Sequence, residues 1–215
     1  MSSPWRSGLK HEAMDALPEI IELAKNTLTI GQLADAEKIS NMLLGSKKTR
    51  QLARYKLALL LPHKPTRPLL YLIPIIMNLP RETRDCIRYS GDYIDLIVKE
   101  MAYEFLNGQA RKNSLGINVK NLKNVASVPS DLVDKLQRYN NFLYSPGKHD
   151  FSLPAGRAHR FTSKEAVLTI FISVELGERI KSVSKLAVEA VEKDNLYMVG
   201  GRWGSSKRVE YAGEG

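Results

Sequence analysis

The chain of 215 residues has a single cysteine, Cys86. One thiol cannot build an intramolecular disulfide framework, and it cannot supply a thiolate cluster for a metal ion. No stretch of the sequence resembles a secretory signal. We therefore expect a protein of the reducing cytoplasm.

Long apolar runs are also absent. The most apolar stretch, Leu57 to Leu79, is interrupted by Lys64 and Arg67 and contains prolines at positions 62, 65, 68 and 74. A transmembrane helix needs about 20 consecutive apolar residues, so we expect no membrane-spanning segment and no membrane partner. The stretch instead predicts two short buried segments, Leu57 to Leu61 and Leu69 to Met77, joined by a proline-rich turn at a subdomain boundary.

Acidic residues are missing from a long part of the chain. No Asp or Glu occurs between Glu37 and Glu82, and the formal net charge of the whole chain is +9. The number of cations in this interval, nine, equals the net positive charge of the whole chain. They are Lys38, Lys47, Lys48, Arg50, Arg54, Lys56, Lys64, Arg67 and Arg81. Solvated surfaces usually mix the two signs of charge, so a block of one sign favours an anionic partner. We expect this partner to be nucleic acid.

The periodicity of the apolar residues is helical almost throughout. It predicts helices near residues 10–25, 32–44, 47–61, 69–78, 80–107, 130–144 and 162–192. The stretch from Asn107 to Pro129, rich in Asn, is expected to be a loop with at most one short helix. After Asn195 the chain is Gly-rich, and Tyr197 to Val199 with Arg208 to Tyr211 are expected to form a weak hairpin or a mobile tail.

These patterns together predict an all-α protein. Residues 1–79 are expected to form a smaller basic helical subdomain, residues 80–194 a helical bundle, and residues 195–215 a Gly-rich tail or small hairpin. Within the bundle, the helix over 80–107 is the expected centre of the core. Its apolar stripe recurs at near-helical spacing: Ile87, Ile94, Ile97, Met101 and Phe105.

Residues typical of helix N-termini occur at the expected starts of three helices. Pro80 suits the first position of its helix because the missing amide proton costs nothing there. Ser130 is an expected cap of the sixth predicted helix. Thr162 and Glu165 form a capping box at the start of the seventh.

The loop from Ser145 to Arg160 is dense in titratable groups. It contains Lys148, His149, Asp150, Arg157, His159 and Arg160. The loop leads into the capped helix, whose amino-terminal backbone donors and dipole favour phosphate. One interpretation is a phosphate-binding loop. The alternative is that His149 and Asp150 hydrogen-bond each other and stiffen an irregular loop.

The order of elements from Arg81 to Glu192 resembles the HEPN superfamily of small helical bundles. The similarity rests on the segment LQRYNNFLYSPGKH, from Leu136 to His149, and on FTSKEAV, from Phe161 to Val167. In that family, a helix that ends in a polar segment with a His is followed by a capped helix. The resemblance covers roughly half of the chain.

The resemblance implies RNA, in preference to DNA, as the partner. Catalytic HEPN proteins are metal-independent ribonucleases of defence and toxin systems, and they often act across a homodimer. Their His takes or delivers a proton at the scissile phosphate, and their Arg neutralises developing charge. Carried over, His149 would be the acid/base and Arg138 the phosphate clamp. Arg157 or Arg160 would also supply charge, with Lys148 and His159 as auxiliary phosphate ligands.

A second constellation lies between Ile30 and Leu60. Two helices with a turn at Gly45 suggest a helix-turn-helix-like unit, and its second helix places these residues for nucleic-acid contact: Lys47, Lys48, Arg50, Arg54 and Lys56. Leu52, Tyr55 and Leu59 are expected to hold the opposite face against the core. This constellation supports the alternative function, a non-catalytic nucleic-acid-binding or scaffolding protein.

Motifs of other classes are missing. The sequence has no Walker glycine loop, no dinucleotide fingerprint, no HExxH motif and no Gly-x-Ser-x-Gly elbow. We therefore expect neither a cofactor nor a metal ion.

Overall fold

The computed structural model describes residues 17–62, 65–106, 108, 110–149 and 161–200 of the chain. The described residues form helices and connecting turns without any strand, so the predicted all-α class is confirmed. The helices are α1 Leu17–Thr27, α2 Ile30–Leu43, α3 Lys47–Ala58, α4 Arg67–Asn78, α5 Thr83–Phe105, α6 Leu115–Leu122, α7 Ser130–Tyr139, α8 Ser145–His149, α9 Ser163–Val183 and α10 Lys185–Gly200. A 3₁₀ turn, Ala110–Lys112, precedes α6, and a π-helix, Asn140–Tyr144, joins α7 to α8.

Helix α5 lies at the centre of the core, as its apolar stripe predicts. Ile87, Ile94, Ile97 and Met101 are fully buried, while Phe105 packs at the edge. Helices α4, α9 and α10 pack against α5, and α6 and the π-helix contact it as well. Helix α9 is buried over most of its first half and forms the second layer of the core.

The capping box of α9 is confirmed. The Thr162 hydroxyl accepts a hydrogen bond from the Glu165 amide at 3.3 Å, and the Glu165 carboxylate accepts one from the Thr162 amide at 2.5 Å. Ser130 is not the cap of α7, because Pro129 holds that position without a side-chain hydrogen bond.

Several predicted boundaries differ from the structure. Helix α5 begins at Thr83, after a turn that follows the cis peptide bond Leu79–Pro80. The expected loop after Tyr144 begins as helix α8. The expected long helix over 162–192 is broken at Ser184, whose backbone is extended. Tyr197 to Val199 continue helix α10 instead of forming a strand, while Arg208 to Tyr211 lie outside the described residues.

The break at Ser184 has a local cause. The Ser184 hydroxyl accepts a hydrogen bond from the Ala187 amide at 3.1 Å and donates one to the Glu104 carboxylate at 2.6 Å. Glu104 also accepts a hydrogen bond from the Leu186 amide at 3.1 Å. Serine and a carboxylate are good acceptors for the free amides of a first helical turn. They therefore start a new helix, and this redirects the chain.

The basic amino-terminal helices share their core with the rest of the chain. Helices α1 and α2 pack on α9, α3 packs against α2 and α4, and α4 packs on α5. Buried side chains before and after residue 79 belong to one cluster. The division at residues 79 and 194 stays a prediction. Within the described residues, no helix is both long and apolar enough for a bilayer span.

Close contact between α5 and the π-helix depends on Gly91. A methyl group at this position would overlap the ring of Tyr144. We expect Gly91→Ala to lower the free energy of unfolding by about 1–3 kcal/mol, the usual cost of overpacking a core. Urea denaturation followed by circular dichroism measures the effect.

Gly31→Ala is the matched control. Gly31 is exposed in the first turn of α2, where an added methyl would meet only Thr29 Oγ1 at 4.0 Å. This variant should be neutral or more stable by up to about 1 kcal/mol, because alanine favours a helix. Equal stabilities of the Gly91 and Gly31 variants would contradict the packing described above.

Candidate nucleic-acid interface

Helix α3 presents the basic segment on the protein surface. Ser46 caps the helix, because its hydroxyl accepts a hydrogen bond from the Thr49 amide at 3.3 Å. Ala53 and Leu57 are fully buried, one turn apart, and fix the helix between α2 and α4. The opposite side of α3 consequently faces solvent.

The five predicted nucleic-acid ligands of α3 differ in their accessibility. Lys47 and Lys48 are exposed, and Arg50 and Lys56 are half-buried. Arg54 is turned towards the protein, where its Nε and Nη2 both donate to the carbonyl oxygen of Leu79, at 2.8 and 2.5 Å. Arg54 therefore ties α3 to the turn before α5, and the lysines are the freer cations.

The expectation that Leu52, Tyr55 and Leu59 pack against the core is wrong. They are 50%, 59% and 66% exposed, respectively. Two sets of apolar residues in this helix fit a helical stripe, and the smaller set, Ala53 and Leu57, is the one that is buried. Ala53 and Leu57 occupy the side of α3 that packs against α2 and α4, so Leu52, Tyr55 and Leu59 point outwards.

The solvent side of α3 thus combines apolar and basic groups. At about 100° per residue, Lys48, Leu52, Tyr55 and Leu59 fall within one narrow arc of the helix. We refer to these four residues as the α3 face. Lys47 lies to one side of this arc and Lys56 to the other.

The sequence segment that contains α3 carries charge of one sign. The chain has no acidic residue from position 38 to position 81. In the part of the chain that the structure describes, no ion pair joins the lysines of α3 to a carboxylate. Exposed lysines that form no ion pair keep their attraction for an anion.

The second candidate site is the end of α8. His149 is the last residue of this helix, but its side chain and that of Lys148 are outside the described residues. Asp150, Arg157, His159 and Arg160 are also outside them. Their predicted roles in phosphate binding and proton transfer stay predictions.

Arg138, the predicted phosphate clamp, lies on α7. Its guanidinium forms an ion pair with Glu19 of α1 at 3.2 Å. Residues 130 to 149 form one continuous helical run, so at a rise of 1.5 Å per residue Arg138 and His149 are about 16 Å apart along its axis. Their convergence on one phosphate within a single chain stays a prediction.

The structure brings a different arginine to α8. Arg84 of α5 donates from Nε to the carbonyl oxygen of Gly147 at 3.4 Å, two residues before His149. Gly147 packs closely here, because a methyl group on it would lie 3.1 Å from Ile87. Sequence reasoning missed Arg84, since 63 positions separate it from Gly147 and no local motif connects them.

A polar cluster holds the π-helix, and through it α8, against α5. The Tyr144 hydroxyl lies 3.0 Å from Asp92 and 3.3 Å from Asp95, and Lys99 contacts Asp95 at 2.8 Å. Burial, followed by the charges of Asp95 and Asp92, raises the pKa of Tyr144 well above its usual range. Tyr144 therefore stays protonated and acts as a donor to the carboxylates. No group of three potential metal ligands occurs among the described residues.

Comparison of the chain with protein-family models, with curated proteins and with solved structures gives no match. The HEPN resemblance between Arg81 and Glu192 therefore stays a prediction from the sequence.

The inward position of Arg54 gives a test that separates stability from binding. Arg54→Gln removes a charged donor to a backbone carbonyl and should lower the free energy of unfolding by about 1.5–3 kcal/mol. Lys48→Gln, on the exposed side of the same helix, should stay within about 0.5 kcal/mol of the parent protein. Thermal or urea unfolding of both variants measures the difference, and equal values would contradict the inward role of Arg54.

Proposed function

We propose that this chain is a nucleic-acid-binding protein that takes RNA in preference to DNA and holds its phosphate backbone on α3. The observation that carries the proposal is the exposure of Lys47 and Lys48 in a segment with no acidic residue. The preference for RNA follows from the HEPN resemblance. Lysines bind phosphate as point charges and release counterions from the polymer, so this mode of binding reads little sequence.

Salt dependence is the direct measurement of this contact. For a labelled single-stranded RNA, each phosphate contact contributes about 0.7 to the slope of log K against log salt concentration. Replacing Lys47 and Lys48 together by Gln should therefore reduce the slope by about 1.4. Fluorescence anisotropy at several salt concentrations gives the slope.

The control variant is the double replacement of Lys120 and Lys123 by Gln. Both residues are exposed, at the end of α6, and the variant loses the same net charge. It should change the slope less than the α3 variant does. Equal changes would mean that only total charge matters, and the absence of RNA binding by the parent protein would refute the proposal.

A second candidate function is metal-independent cleavage of RNA at the end of α8. Its support is the contact of Arg84 with Gly147, which puts a cation beside the backbone that leads to His149. A His at this position would take the proton from the attacking ribose 2′-hydroxyl or deliver a proton to the leaving oxygen, and Arg84 would offset the charge on the phosphorane. In this arrangement, Arg84 takes the place that the resemblance gives to Arg138.

Cleavage of a labelled mixed RNA pool in EDTA tests this second function. His149→Ala should slow cleavage by about 10²–10⁴-fold, the usual contribution of a general acid or base. Arg138→Gln should retain most of the rate if Arg84 is the partner. Circular dichroism verifies the fold of both variants, and an unchanged rate for His149→Ala would exclude the mechanism.

A further inference from the structure

Phosphate binding leaves the apolar part of the α3 face without a role. Leu52, Tyr55 and Leu59 occupy the middle of the exposed side. A phosphate backbone gains nothing from two leucines at that position. Leu44, which is 75% exposed, adds a further apolar group at the turn from α2 into α3.

The arrangement of these side chains is that of a protein-binding surface. Interfaces between proteins have an apolar centre that excludes water and a polar rim. On α3 the centre is Leu52, Tyr55 and Leu59, and lysines lie at the rim on both sides. Their spacing of three and four residues makes a straight stripe, which suits another helix.

Charge specifies the partner further. A second copy of the chain, docked α3 against α3, would oppose lysines to lysines, because the segment from 38 to 81 has no carboxylate. Like charges at an interface are costly, whereas opposite charges speed encounter and fix orientation. The surface therefore requires glutamates or aspartates beside the apolar residues of the partner.

We propose that the α3 face docks an acidic amphipathic helix of a partner protein. The apolar stripe of that helix covers Leu52, Tyr55 and Leu59, and its flanking carboxylates meet Lys47 and Lys56. This function goes beyond RNA binding, because it uses side chains that phosphate does not contact. Since both ligands meet the same lysines, the acidic helix and RNA compete for α3.

Two synthetic peptides test the proposal on the full chain. The first is a capped helical peptide with leucines at every third or fourth position on one side and glutamates on the flanks. The second has the same composition in a scrambled order that spreads the leucines around the helix. We expect the amphipathic peptide to bind about tenfold more tightly, because only its leucines reach the apolar stripe together. Isothermal titration calorimetry measures both affinities.

Variants assign the binding to the α3 face. Replacing Leu52 and Leu59 together by Ser should weaken the amphipathic peptide about tenfold, leave the scrambled peptide unaffected, and leave the salt slope for RNA unchanged. Ile30→Ser is the matched control, because Ile30 is 87% exposed at the start of α2, outside α3. It should bind both peptides like the parent protein.

Several outcomes would overturn the proposal. Equal affinity for the two peptides would mean that charge attraction alone causes the binding and that the apolar stripe does not contribute. If the Leu52/Leu59 double variant binds single-stranded RNA more weakly but binds the peptide as before, the stripe contacts RNA bases. If this variant instead no longer co-sediments with vesicles that contain phosphatidylserine, and still binds the peptide as before, the stripe binds membranes. Failure of RNA binding with peptide binding intact would refute the proposed function and leave this inference standing.

Discussion

The close approach of α5 to its neighbours is the constraint on which the other elements depend. Gly91 of α5 lets the ring of Tyr144 lie against this helix. Gly177 of α9 likewise makes room for the ring of Tyr93, which projects from α5. A side chain at either glycine would separate the layers, because protein interiors have no spare volume. The two tyrosines fill the space beside the glycines, so small and large residues interlock across the centre of the core.

This packing also determines where the α8 candidate site lies. The π-helix between α7 and α8 turns Tyr144 towards Asp92 and Asp95, and this places Gly147 over the first turns of α5. Such π-segments occur frequently at functional sites. In this arrangement Arg84 donates a hydrogen bond to Gly147 of α8. The chemistry proposed for His149 therefore depends on a contact between segments that are distant in sequence.

Helix α3 lies at the edge of the same core and uses little of its own surface to hold its place. Ala53 and Leu57 provide the buried contact, and Arg54 adds hydrogen bonds to the Leu79 carbonyl. Leu52, Tyr55 and Leu59 stay exposed to solvent. A surface with both lysines and leucines can hold a polyanion by charge and an acidic helix by charge and apolar contact together, and this links the two proposals.

The sequence by itself determined the helical class, the central position of α5, the capping box of α9 and the acid-free basic segment, because periodicity, caps and charge are local properties. It did not determine which apolar stripe of α3 is buried, since Leu52, Tyr55 and Leu59 fit helical spacing as well as Ala53 and Leu57 do. The sequence also did not show that Glu104 would hydrogen-bond Ser184 and break the last long helix, or that Arg84 would contact α8. Only the tertiary structure decided these features, because each depends on the space and the hydrogen-bonding groups that a distant segment provides.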